Sequence, residues 1–265
     1  MTPDAIAAGG LRLHQSGPVA TITLHRPEVR NAQTPAMWRA LAEVGATLPE
    51  ETRVVVVRGE GHSFSAGLDR AMLTPGGAPE GVETVADLLA MDDEAISRTI
   101  DAYQQGFTFL RDPRFVSIAA VQGYAIGAGF QLALACDLRV VTSDAQFSMK
   151  ETALGLVPDL TGTKPLVESV GYARALEICA TARMVDAAEA VEIGLAQAVV
   201  PAEELDATVD RLVTALTAPM AGAVSETKAL LQAASGRDLD EQRRFEREAQ
   251  VRRFRELARL QAGQE

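Results

Sequence analysis

The chain has 265 residues, of which 47% are hydrophobic and 23% charged; that is enough apolar material for one large domain and excludes a disordered chain. A formal net charge of −11 and a pI of about 4.9 disfavour non-specific binding to a nucleic-acid backbone, which needs a basic face. Two cysteines, Cys136 and Cys179, exclude a disulfide framework, and with three histidines out of metal-ligand spacing they argue against a metalloenzyme.

In chain order, the first ten residues carry acid rather than base, unlike a signal peptide. No run of about 18 apolar residues follows, so we expect a cytoplasmic protein without a membrane partner. Leu11 to Gln15 and Val19 to Leu24 alternate around Ser16-Gly17-Pro18 and predict a β-hairpin. Thr34-Pro35 predicts a helix start, with Thr34 as N-cap and proline at the first helical position. Val54 to Val57 is the β-branched run of a strand buried on both faces. Residues 74–81 are rich in proline and glycine and predict a mobile loop. A long helix is expected from about Thr84 to Arg111, then a strand over Phe115 to Val121. Gly127-Ala128-Gly129 opens a helical run to Cys136, and Leu138 to Val141 is a third buried strand. Beyond Ala182 only Ala198 to Val200 reads as strand; Pro201–Leu216, Gly222–Ala234 and Asp238–Leu260 read as helices. Strands separated by helices imply βαβ units, a largely parallel sheet and an α/β class. The division expected is an α/β core over residues 1–200 and a helical region over 201–265.

Two glycine-rich turns follow buried strands. The first is His62 to Asp69 and the second Gly123 to Gly129. Small residues at Ser65, Ala66 and Gly67 let a ligand approach the backbone, and a helix starting near Leu68 would point free N–H groups outward. Two such donors on one oxygen make an oxyanion hole at the carboxyl ends of parallel strands. Neither turn is a dinucleotide fingerprint, a P-loop or a nucleophile elbow. Cys136 reads as a core residue rather than a nucleophile.

In combination, FSAGLD, then QGYAIGAGFQLALACDLRV and AQFSMKETALGLVPDLTGT, resemble the crotonase (enoyl-CoA hydratase/isomerase) family, as do HRPEVRNA and ARMVDAAEAVEIGLAQAVV. The resemblance covers roughly residues 10–260. It implies a crotonase-like ββα spiral core binding acyl-CoA and a helical C-terminal trimerisation region. It also implies a homotrimer or dimer of trimers, and no cofactor beyond the CoA of the substrate. By motif match, the amides of Leu68 and Ala128 are the oxyanion donors; Ala128 stands where many relatives have glycine, which is tolerable if its φ is negative. Ser65, Ala66 and Gly67 leave room for the pantetheine arm. Val29, Arg30 and Ala32 flank the CoA nucleotide, with Arg26 or Arg30 near a phosphate. Phe245 resembles positions that close the CoA site, sometimes from a neighbouring subunit.

Hydratase members carry two glutamates. Here one position is Glu151 and the other is Gln131, an amide that cannot take and release a proton near neutral pH. Asp159 stands where hydratases have glycine, and KE…GL..D..GT resembles dienoyl-CoA isomerases. The expected activity is therefore an enoyl-CoA isomerase, with Glu151 as principal base and Asp159 as second acid or orienter. The alternatives are a hydratase using Glu151 with Gln131 holding the water, and an acyl-CoA-binding protein without catalysis. Other crotonase chemistries are thioester hydrolysis, decarboxylation and dehalogenation, the last lacking its nucleophilic aspartate. Structural roles are also open: Glu151 pairing with Lys150 or an arginine, and Asp159 capping a helix near Gly162 or binding Lys164.

Overall fold

A computed structural model describes residues 3–73 and 83–262. The chain starts with α1 (Pro3–Ala8) and the expected hairpin of β1 (Leu11–Ser16) and β2 (Val19–Leu24). Next come α2 (Pro35–Thr47), β3 (Val54–Gly59), α3 (Val85–Leu89), α4 (Asp93–Thr108) and β4 (Val116–Val121). The middle holds β5 (Tyr124–Ile126), α5 (Ala128–Ala135), β6 (Leu138–Thr142) and β7 (Gln146–Ser148). Then follow α6 (Thr163–Val170), α7 (Tyr172–Thr181), β8 (Val185–Asp186), α8 (Ala187–Glu192) and β9 (Ala198–Val200). The chain closes with α9 (Leu205–Thr217), α10 (Ala221–Ala234) and α11 (Leu239–Ala262).

The main sheet has the order β1-β2-β3-β4-β6-β9 and is parallel apart from the first hairpin. Its central strands bury both faces, as their continuous apolar runs require. Val55, Val57, Ala119, Val121 and Val141 face the main core with Met37 and Leu41 of α2 and Phe130 and Leu134 of α5. Val54, Val56, Ile118, Ala120 and Val140 face the other way, against Leu205 and Val209 of α9. Thus α9, which begins beyond residue 200, closes the second face of the sheet.

Thr34 caps α2 as expected, its Oγ1 accepting from Met37 N at 3.3 Å. The helix expected over 84–111 is instead two helices and a 3-10 turn, Phe109–Arg111. Asp92 is the cause: its side chain accepts from Ala95 N at 2.7 Å and restarts the helix. The loop expected over 74–81 lies outside the described residues. A second sheet, β5-β7-β8, was not legible, because strands of three, three and two residues are too short for periodicity. Among the described residues, no helix is long and apolar enough to cross a membrane.

One buried ion pair ties the C-terminal helices to the core. Lys228 of α10, 8% exposed, donates to Asp112 O, Phe115 O and Asp137 Oδ2 at 2.7–2.8 Å. Burial pulls the Lys228 pKa down, and Asp137 opposes that shift.

Candidate active site

The two glycine-rich turns are knitted into one hydrogen-bonded layer. Segment 63–66 runs beside β5: Phe64 N donates to Gln122 O, Ser65 N to Tyr124 O, and Ile126 N to Ser65 O, at 2.8–3.0 Å. Its other edge pairs with residues 30–33, through Ala66 N to Arg30 O, Gln33 N to Gly67 O and Asp69 N to Gln33 O. On the far side β5 pairs in parallel with β7, and Gly127 N donates to Ser148 O at 2.8 Å. The chain leaving β7 reaches Glu151 three residues later. Sheet pairing therefore carries Leu68, Ala128 and Glu151 to one edge.

Two glycines make the approach possible. Gly67 has φ +86°, and a Cβ there would lie 2.4 Å from Ile126 O. That same Cβ position is 3.6 Å from Ala128 N, which measures how close the two turns come. Gly127 has φ +51°, and a Cβ on it would stand 3.3 Å from Glu151 Oε1. Any larger residue at either position is strained and crowds the crevice.

Leu68 N has no hydrogen-bond acceptor among the described residues, and Ala128 N, at the first position of α5, has no acceptor within its helix. Both donors are open to a ligand oxygen. Ala128 is helical, so its φ is negative and its methyl costs no strain. The expected helix start near Leu68 is corrected to a 3-10 turn over Arg70–Leu73; Leu68 itself bridges to Gln33.

Glu151 opens a short 3-10 turn beside these amides. Its Oε1 accepts from Gln131 Nε2 at 2.7 Å, while its Oε2 is buried and has no partner. Burial pushes its pKa up, and the charge of Asp159 adds to that. Burial also raises the Asp159 pKa. Gln104 Nε2 of α4 holds the Asp159 carbonyl at 2.6 Å and so anchors the loop.

The structural alternatives for both acids fail. Lys150 Nζ donates to Ala182 O, and no ion pair to Glu151 occurs among the described residues. α6 has no side-chain cap at Gly162, and Lys164 pairs with Glu168 instead of Asp159. Gln131, 1% exposed, does face this crevice, but its Oε1 is engaged by Leu160 N at 2.8 Å and Gly162 N at 3.2 Å.

The expected ligand contacts divide into three groups. Ser65 Oγ is spent internally, donating to Asn31 O and accepting from Gln33 Nε2 and Gly67 N. Ala66 and Gly67 follow it in the same layer. Val29 and Arg30 are exposed beside it, Arg30 lying 5.8 Å from the Tyr124 ring, and Ala32 is buried. Arg26 is not free for a phosphate, because its guanidinium binds Ala32 O and Asp69 Oδ2. Phe245 sits on α11, with the guanidinium of Arg237 3.7 Å and that of Arg244 4.5 Å from its ring centre.

Sequence reasoning missed Asn31, Gln33 and Gln104. Asn31 Nδ2 binds Glu60 O and Ser63 O, and Gln33 links Trp38 to Ser65. Polar residues next to a ligand-flanking motif were the available signal for the first two. Cys136 is buried as expected, its thiol pushed up to about 12 by burial. Among the described residues, no group of three or more His, Cys, Asp or Glu is placed to hold a metal ion.

The enoyl-CoA hydratase/isomerase family model matches residues 14–263. A Thermobifida fusca YX protein assigned as an enoyl-CoA hydratase, solved in complex with CoA, superposes with a TM-score of 0.93 at 52% identity, covering 98% of each chain. A probable enoyl-CoA hydratase of Mycobacterium bovis is 30% identical over 231 residues, 86% of this chain and 83% of the relative. The mitochondrial Δ(3,5)-Δ(2,4)-dienoyl-CoA isomerase of Rattus norvegicus is 34% identical over 197 residues, 71% of this chain and 57% of the relative. The chain is a member of the enoyl-CoA hydratase/isomerase family, with the crotonase fold.

Proposed function

We propose that the chain is an enoyl-CoA isomerase, moving a double bond of an acyl-CoA thioester through an enolate. The observation that carries this reading is Gln131. An amide bonded to Glu151, Leu160 and Gly162 stands where a hydratase needs a second titrating carboxylate.

The chemistry follows from the layer. Leu68 N–H and Ala128 N–H donate to the thioester oxygen. Glu151 takes a proton from C2 of a 3-enoyl group, and the C–H electron pair moves into a dienolate whose charge faces those amides. Glu151, or Asp159 beside it, returns a proton at C4 and leaves a 2-enoyl-CoA. Every step is a proton transfer, so one base suffices and no cofactor beyond the CoA is needed. Val29, Arg30 and Ala32 flank the CoA nucleotide, Ser65 to Gly67 pass the pantetheine arm, and Phe245 of a neighbouring copy closes the site.

The hydratase reading draws support from the names of most relatives; it would use Glu151 with water held by Gln131. Against it, Gln131 has one free N–H and no free acceptor pair directed to water. The non-catalytic reading needs Glu151 turned away into an ion pair, and its carboxylate instead stands beside Gly127.

Ala128→Pro tests the oxyanion hole. Proline fits the first helical position, replaces the N–H with its ring Cδ, which also fills the place of the donor, and Gly127 has no Cβ to clash with the ring. The expected result is a loss of at least about 10²–10³ in kcat with thermal stability nearly kept. Undiminished kcat would contradict the hole. Residues 201–265 are further proposed to join copies into a trimer or dimer of trimers. Light scattering at micromolar protein should exceed the 28.1 kDa of one chain at least threefold, and a monomer would contradict it.

A further inference from the structure

Resting on the isomerase reading, we propose that Gln131 is a positioning residue: it ties Glu151 to the turn that follows Asp159 and holds Glu151 ready as a lone base. Three hydrogen bonds place it there. Its Nε2 donates to Glu151 Oε1 at 2.7 Å. Its Oε1 accepts from Leu160 N at 2.8 Å and from Gly162 N at 3.2 Å. Those two amides flank the turn that follows Asp159. One buried amide thus bonds one acid and the backbone next to the other.

The polarity of the amide matters. The two backbone amides require an acceptor and so fix Oε1 toward the 160–162 turn. That leaves Nε2 to face the carboxylate, where it favours the ionised form. It also occupies Oε1 of Glu151 and leaves Oε2 as the free oxygen. Packing enforces this: a Cβ on Gly162 would lie 2.6 Å from Gln131 Cγ, so only glycine lets the turn close over the side chain. A carboxylate at 131 would keep both backbone bonds but put a second oxygen 2.7 Å from Glu151 Oε1, where the pair must share a proton. The other titratable groups near Glu151 are Asp159, which disfavours its charge, and the partly buried thiol of Cys179. Lys150 is turned to Ala182 O.

The test reads Glu151 directly. Protein carrying 13C at the glutamate Cδ is titrated by NMR, with Glu151→Gln identifying the signal. In Gln131→Leu the loss of the donor should move the Glu151 midpoint upward by about one pH unit. In Gln131→Glu, a near-isostere, the single step should split into two coupled steps more than about one unit apart. Exchange of the Leu160 and Gly162 amide protons should accelerate in Gln131→Leu and stay slow in Gln131→Glu. The acid limb of kcat should follow the NMR midpoint. A residue that only supports the fold would lower Tm and leave the titration unmoved. An unchanged Glu151 titration in both variants overturns the proposal. If the titration moves while the unsubstituted protein shifts no double bond, the isomerase reading fails and the positioning role stands.

Discussion

Glu151→Gln should lower kcat for double-bond migration by about 10²–10⁴, the usual contribution of a positioned general base. KM should change little, because the glutamine keeps the volume and the CoA contacts lie elsewhere. The pH profile of the unsubstituted protein carries the same information. Burial raises the Glu151 pKa, so activity should fall on acidification at a pH above the ordinary carboxylate range. The stability effect has the opposite sign to the activity effect. A carboxyl whose folded pKa is raised contributes stability that is fully present below its unfolded pKa, near 4.5, and is lost as pH rises through the folded value. Glu151→Gln should therefore melt higher than the unsubstituted protein at neutral pH, with the gap shrinking toward about pH 4.5. Retained kcat in a folded Glu151→Gln would remove the base from the account.

Lys228→Met should destabilise the fold by about 3–5 kcal/mol, the cost of leaving a buried partner charge uncompensated. The substitution strips three acceptors at once: Asp137 Oδ2, Asp112 O and Phe115 O. At about 2–4 °C per kcal/mol for a domain near this size, Tm should fall by roughly 6–20 °C. Asp137 keeps its bonds from Ser117 N and Oγ, which tempers the loss. Adding Asp137→Asn should recover part of it, since the buried charge is then gone. A Tm within about 2 °C of the unsubstituted protein would show that α10 is not anchored through this pair.

The parallel sheet was legible because its central strands are apolar on both faces, and the run Val54 to Val57 carries no competing period. The hairpin and the α2 cap were legible for equally local reasons. The split at Asp92 was not, because an aspartate in a helical stretch reads as a surface residue until its side chain is seen capping Ala95 N. The layer that builds the site was invisible for another reason. Its pairings join residues 30–33, 63–69, 124–126 and 146–148, segments of a few residues each, far apart in sequence. The acids Glu151 and Asp159 came from the resemblance to the crotonase family, but the contact between the Glu151 carboxylate and the amide of Gln131 needed geometry. Lys228 illustrates the same limit: a lysine on an amphipathic helix gives no sign that it crosses to Asp137, 91 residues away.

The most direct test of the isomerase account is a paired assay on one purified sample, offering a medium-chain 3-enoyl-CoA and a 2-enoyl-CoA. Double-bond migration and water addition are followed side by side. The account predicts migration from the 3-enoyl substrate with little or no hydration of the 2-enoyl one. Efficient hydration that survives Asp159→Asn would contradict it, because Gln131 would then not disable water chemistry.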